Sequence, residues 1–69
     1  MEGIADMVIE TPCYVYVFEF KLDRPAAEAL SQIEERGYAA PYAHDFRKVY
    51  RIGCTFSSET GRIVDWMIG

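Results

Sequence analysis

Two hydrophobic periods divide this 69-residue chain. Residues 14–22 read Tyr-Val-Tyr-Val-Phe-Glu-Phe-Lys-Leu, an aromatic and β-branched run that predicts the strongest strand. Residues 4–10 are β-compatible and stop at Thr11-Pro12. Proline at the second place of Thr11-Pro12-Cys13-Tyr14 suits a type I turn, so the two segments are expected to form a hairpin. The period then changes. Asp23 is expected to cap a helix with Pro25 in its first turn; Ala26, Leu30 and Ile33 recur at helical spacing, and Gly37 ends it. Residues 48–56 and 62–68 return to the strand pattern around a turn at 57–61. Pairing Phe56 with Arg62 sets Tyr50, Ile52 and Cys54 beside Val64, Trp66 and Ile68 on one face.

The order strand-strand-helix-strand-strand predicts an α/β domain with a mixed sheet. Its helical crossover makes the second and third strands parallel, with a right-handed connection. The second strand has Phe18, Phe20 and Leu22 on one face and Val15 and Val17 on the other. Both faces call for cover, and one helix covers one face. The expectation is a further covering element, either an upstream segment of a longer protein or a second copy in a homodimer.

Composition narrows the class. At 51% apolar and 14% aromatic the chain is too hydrophobic to be disordered, and its length suits one small domain with a thin core. A net charge of −4 argues against a dedicated basic nucleic-acid module, though not against a site that meets phosphate through a metal ion. Two cysteines, Cys13 and Cys54, make neither a disulfide framework nor a zinc site, and both read as buried small hydrophobes. With no basic-apolar leader and no long apolar run, a soluble cytoplasmic protein away from membranes is expected.

The chemistry concentrates in the hairpin. With its turn centred between Pro12 and Cys13, Asp6 stands opposite Glu19 and Val8 opposite Val17, and opposed Cβ atoms lie ~4.5–5.5 Å apart. Lys21 follows Glu19 on the same face. Two facing carboxylates with an ammonium group beside them suit one hard divalent cation, magnesium or manganese, with water and substrate phosphate completing its shell. Asp6 and Glu19 are the expected metal ligands. Lys21 is placed to orient a water or to stabilise charge on phosphorus.

Asp6, twelve intervening residues, then Glu19-Phe20-Lys21 resembles the D…(D/E)-x-K signature of the PD-(D/E)XK nuclease superfamily. The text around it is similar to the C-terminal nuclease-like domain of bacterial proteins with an AAA-ATPase-like region upstream. It comprises Tyr16 to Asp23, Ala27 to Ile33, Gly37-Tyr38-Ala39, Arg47 to Tyr50, Ile52-Gly53 and Phe56-Ser57. The resemblance implies a restriction-endonuclease-like mixed β-sheet in which the acidic strand, the E-x-K strand and the strand after the helix are neighbours. It implies metal-dependent phosphodiester hydrolysis carried by Asp6, Glu19 and Lys21. Gln32 and Tyr38 are implied as supports, in the manner of a glutamine and tyrosine on that helix in related nucleases. The nucleic acid expected is DNA before RNA. The family's upstream helix, its first core strand and the ATPase-like region have no counterpart here, so residues 1–69 read as one partial domain.

A second function class accompanies this one: a non-catalytic interaction or dimerisation domain that keeps the nuclease fold. His44 reads as an exposed polar residue beside Asp45. Tyr14, Tyr16, Phe18, Phe20 and Trp66 read as core rather than base-stacking groups. Arg47, Lys48 and Arg51, the densest basic group, read as a solvated strand entrance.

Overall fold

A computed structural model of the chain describes residues 6–69. Its elements are β1 (Met7–Glu10), β2 (Tyr14–Leu22), α1 (Ala26–Arg36), a 3-10 turn (Ala40–Tyr42), β3 (Lys48–Phe56) and β4 (Ile63–Ile68). The strands form a mixed sheet in the order β1-β2-β3-β4, with β2 parallel to β3 and both outer pairs antiparallel. This is the α/β arrangement expected of a restriction-endonuclease-like sheet. Residues 4 and 5 of the expected first strand lie outside the described residues. Among the described residues no helix is long and apolar enough to cross a membrane.

The first hairpin has the expected register. Met7 pairs with Phe18, Val8 with Val17, Ile9 with Tyr16 and Glu10 with Val15. Its two-residue turn is closed by the Thr11 amide donating to the Tyr14 carbonyl at 2.8 Å and the Tyr14 amide donating to Thr11 Oγ1 at 2.9 Å. Cys13 sits exposed at this turn, contrary to the buried role expected of it, whereas Cys54 is buried.

The helix lies on the face that carries Val15, Val17 and Glu19. Val15, Val17, Ile33, Tyr38 and Ala39 form the core there, with Ala26 and Ala29 also buried. Full burial of a valine or isoleucine contributes ~1.5–3 kcal/mol, so these few side chains supply much of the stability. Gly53 on β3 sets the approach. A Cβ built there would stand 2.4 Å from the Ala26 carbonyl oxygen and 2.5 Å from the Leu30 nitrogen. The helix backbone thus rests directly on the sheet. It ends as expected at Gly37, which takes φ 64, while the Tyr38 amide donates back to the Ile33 carbonyl.

Asp23 is not the helix cap. Pro25 occupies that position without a side-chain hydrogen bond, and its carbonyl accepts from the Glu28 amide. Asp23 takes φ 56, a left-handed conformation that aspartate tolerates, and turns its carboxylate to the β3–β4 loop. It accepts from the Ser58 amide at 2.9 Å and from the Ser58 hydroxyl. Those bonds hold its pKa below the usual carboxylate value. The final hairpin also differs from expectation. Cys54 pairs with Trp66 and Ile52 with Ile68, because a register shift at Thr55/Phe56 inserts a bulge and sets Phe56 against Ile63. Tyr50, Ile52, Cys54, Trp66 and Ile68 still share one face, whereas Val64 is left without a cross-strand partner at the bulge and lines a concavity with Thr55 and Asp65.

The opposite face is open. Tyr16 and Tyr50 stack with centroids 5.6 Å apart, Phe18 and Phe20 stack at 5.9 Å, and Phe56 meets Phe20 at 5.5 Å. Tyr14 and Trp66 are exposed, as are Leu22 and Ile68, while Tyr16, Phe18 and Phe20 are half-buried, so none of the five aromatics expected as core is fully buried. The residues of this face pack sideways on one another rather than beneath a second layer.

Candidate active site

Register places the acids. The hairpin pairing that sets Val8 against Val17 carries Asp6 to the level of Glu19, at the end of β1. Asp6 Oδ2 accepts a hydrogen bond from the Phe20 amide at 2.8 Å, which fixes the carboxylate against β2. Glu19 lies two residues beyond Val17 on the helix-covered face and is only 4% exposed. Lys21, on the same face, brings Nζ to 3.8 Å from Glu19 Oε2.

Gln32 of α1 ties these groups together. Its amide nitrogen donates to Glu19 Oε2 at 2.5 Å and to the Tyr38 hydroxyl oxygen at 3.2 Å. Its amide oxygen accepts from Lys21 Nζ. An amide suits this place because one end must donate to a carboxylate and the other accept from an ammonium group. All four expected site residues, Asp6, Glu19, Lys21 and Gln32, are thereby brought to one locality, and Tyr38 joins them. Sequence reading had not singled out Arg36. Its charge also acts on Glu19, and its place four residues after Gln32 on one helix face is the signal that identifies it.

Electrostatics at Glu19 are opposed. Burial raises its pKa above the ordinary glutamate value, and the neighbouring Asp6 charge raises it further; Lys21 and Arg36 pull the other way. Glu19 Oε1 is buried and has no hydrogen-bond partner among the described residues. A buried, unpaired carboxylate oxygen beside a second carboxylate is chemistry that fits a hard divalent cation. The protein donors for it are Asp6 and Glu19. Among the described residues no third His, Cys, Asp or Glu joins them.

The basic group after the helix is otherwise engaged. Arg47 donates to Asp45 Oδ2 at 2.6 Å, Glu10 Oε1 at 3.0 Å and the Thr11 carbonyl at 3.2 Å, and is mostly buried rather than solvated. Arg51 pairs with Glu34 at 3.2 Å. Lys48 lies 5.8 Å from the centre of the Tyr50 ring. His44 is exposed, as expected. A concavity of about 460 Å³, lined by Asp23, Arg24, Pro25, Thr55, Ser57, Val64 and Asp65, contains none of the site residues.

Known proteins supply the context for this constellation. The sequence profile of the PD-(D/E)XK nuclease superfamily matches residues 1–66. The chain belongs to the PD-(D/E)XK nuclease superfamily. Within it, the chain is similar to the uncharacterized protein in vnfD 5'region of Azotobacter chroococcum mcd 1, with 32% identity over 68 residues. That stretch covers 96% of this PD-(D/E)XK chain and 13% of the relative's length. No solved structure matches.

Proposed function

We propose that the chain carries the hydrolytic centre of a PD-(D/E)XK nuclease domain, acting on phosphodiester bonds of nucleic acid, DNA before RNA. Asp6 and Glu19 hold a magnesium or manganese ion, Lys21 acts at the phosphate, and Gln32 positions Glu19 and Lys21. The observation that carries this reading is the unpaired, buried Glu19 Oε1 beside the Asp6 carboxylate. When bound, the ion neutralises a phosphate oxygen and lowers the pKa of a coordinated water. The Lys21 ammonium group orients the attacking water or meets the negative charge that develops on phosphorus. Gln32 keeps that ammonium from collapsing onto Glu19, because its own oxygen holds Nζ. Tyr38 in turn accepts from Gln32 and restricts its rotation.

Thermal unfolding under a magnesium titration tests the site. The native chain is expected to gain stability with the logarithm of ion concentration, reaching ~2.7 kcal/mol at a hundred times the dissociation constant. Asp6→Ala is expected to show no gain. Equal gains in both proteins remove the site. Cleavage of single- and double-stranded DNA with magnesium or manganese tests the activity, and Lys21→Ala is expected to abolish it.

The uncovered aromatic face favours a second reading, a non-catalytic domain that retains the nuclease fold and docks through that face. Its partner is then a second copy or an ATPase-like region of a longer protein, as in the proteins the sequence resembles. Metal binding without cleavage of any nucleic acid supports this reading over the first.

A further inference from the structure

Strand β1 is held to the protein largely by polar bonds. It is an edge strand of four residues, paired with β2. On the helix side of the sheet, α1 packs on β2, β3 and β4. Val17 of β2 is fully buried there, whereas Val8, its partner on β1, is 38% exposed. An edge strand with so little apolar cover on that side belongs to the part of a fold that opens at low free-energy cost. Asp6 rides on this strand. It stands just before the pair of Met7 with Phe18, and its carboxylate is tethered by the Phe20 amide. Whatever seats β1 therefore also keeps Asp6 beside Glu19.

The other end of β1 carries a tether of its own. Glu10 shares the helix-side face with Val8. It accepts from Arg47 at 3.0 Å and from the Tyr42 hydroxyl at 3.3 Å, both supplied by the segment between α1 and β3. Arg47 also donates to the Thr11 carbonyl at 3.2 Å, so it grips the strand and its turn together. Asp45 aims the guanidinium group. It takes Nε at 2.8 Å and a terminal nitrogen at 2.6 Å, a two-point hold that leaves the remaining donors directed at β1. The Arg47 side chain is only 17% exposed, whereas the Arg24–Glu28 and Arg51–Glu34 pairs stand further out in solvent. Exposed pairs of that kind contribute little, but an enclosed fork held at two points is geometrically specific.

We propose that Arg47 is a positioning residue for the acidic site, acting on Asp6 through Glu10 and the length of β1. From Glu10 to Asp6 is ~13 Å of extended chain, so this clasp works at a distance from the site. The inference rests on the reading of Asp6 and Glu19 as a metal-binding pair. With the clasp closed, β1 is seated before an ion arrives. With it cut, the ion must first draw Asp6 back to β2, and the apparent affinity falls with the fraction of molecules in which the strand is seated.

Glu10→Ala tests this, because it cuts the clasp at a half-exposed side chain and leaves Arg47 on Asp45, so the fold is expected to survive. Amide hydrogen exchange by NMR without metal reads the strand, and the Phe20 amide reads Asp6 directly. Calorimetric magnesium titration reads the site. Exchange at residues 7–10 and at Phe20 is expected to become about ten-fold faster, with exchange at Ala29 to Ile33 unchanged. Magnesium affinity is expected to fall about five-fold. Arg47→Lys is expected to act in the same direction, since one ammonium group cannot hold Asp45, Glu10 and the Thr11 carbonyl together. Ile33→Val loosens the covered core and is expected to lower the melting temperature while leaving magnesium affinity native. Native exchange at residues 7–10 and Phe20 in Glu10→Ala overturns the proposal, as does a speeding that is uniform through the chain. Native magnesium affinity in Glu10→Ala also overturns it. A native chain that binds no magnesium removes the metal reading by itself, and exchange at the Phe20 amide then decides whether the clasp places Asp6.

Discussion

The two faces of the sheet contrast in a way that hydrophobicity alone does not anticipate. The open face is the more aromatic, yet the helix packs on the other one. What separates them is the size of the side chains. Val15, Val17 and Gly53 on the covered face, with Ala26 and Ala29 facing them, let two backbones approach closely. Tyr14, Tyr16, Phe18, Phe20, Tyr50 and Phe56 on the other face would hold a helix away. Small residues therefore choose where the helix sits, and its seat decides that Glu19 is buried and meets Gln32.

That contrast can be broken most severely at its closest contact. Gly53→Val is expected to cost about 4 kcal/mol or more, since the added atoms overlap helix backbone rather than a movable side-chain tip. A domain of this size has a total stability of only roughly 3–10 kcal/mol, so cooperative unfolding and the helical circular dichroism signal should both be lost. A variant that melts like the native chain would show that the helix is seated elsewhere. Next in size is a pair across the sheet. Ile33→Ala should cost about 3 kcal/mol by opening a cavity in the covered core. Phe18→Ala removes a larger side chain but should cost under about 1 kcal/mol in dilute protein, because its half-buried ring lines no closed core. Denaturant unfolding that ranks these two by side-chain size would contradict the account.

Gln32→Leu sharpens the comparison at the site. It strips Glu19 Oε2 of its donor and Lys21 of its acceptor, at an expected ~1–2 kcal/mol, and should shrink the magnesium-dependent rise in melting temperature. The smallest effects concern pH, and two carboxylates, Asp45 beside Arg47 and Glu19 at the site, should behave oppositely. Hydrogen bonds from Arg47 lower the Asp45 pKa from 3.8 to about 2. Its contribution is present above the ordinary value and lost as pH falls through about 2. Asp45→Asn should flatten that part of the acid limb. Glu19 is raised by burial, so without a metal ion its contribution is fullest below the ordinary glutamate pKa and declines as pH rises through the raised value. Melting curves of Glu19→Gln should lack that decline; an unchanged slope would mean that Glu19 is better solvated than its burial indicates.

The parts of this molecule that were legible in sequence are those set by local periodicity. A two-residue turn and strict alternation fix the first hairpin, and that register brings Asp6 to Glu19. Gly37 ends the helix for a reason visible in its identity. The misplaced features depend on distant partners. Asp23 gives up the helix cap because Ser58, far along the chain, offers it two donors. The β3–β4 pairing shifted because the bulge at Thr55/Phe56 carries no sequence mark. Arg47 left solvent because Glu10 and the Thr11 carbonyl, far back in the chain, join its near neighbour Asp45 only after the sheet has formed.

The Pro12-Cys13 turn has a consequence of its own. Its length is a parity setting for everything upstream of it. One residue more would retain every ionisable group in the chain and turn Asp6 toward the aromatic side, leaving Glu19, Lys21 and Gln32 where they are. A single inserted codon would take the candidate site apart, with every candidate residue still readable in the text.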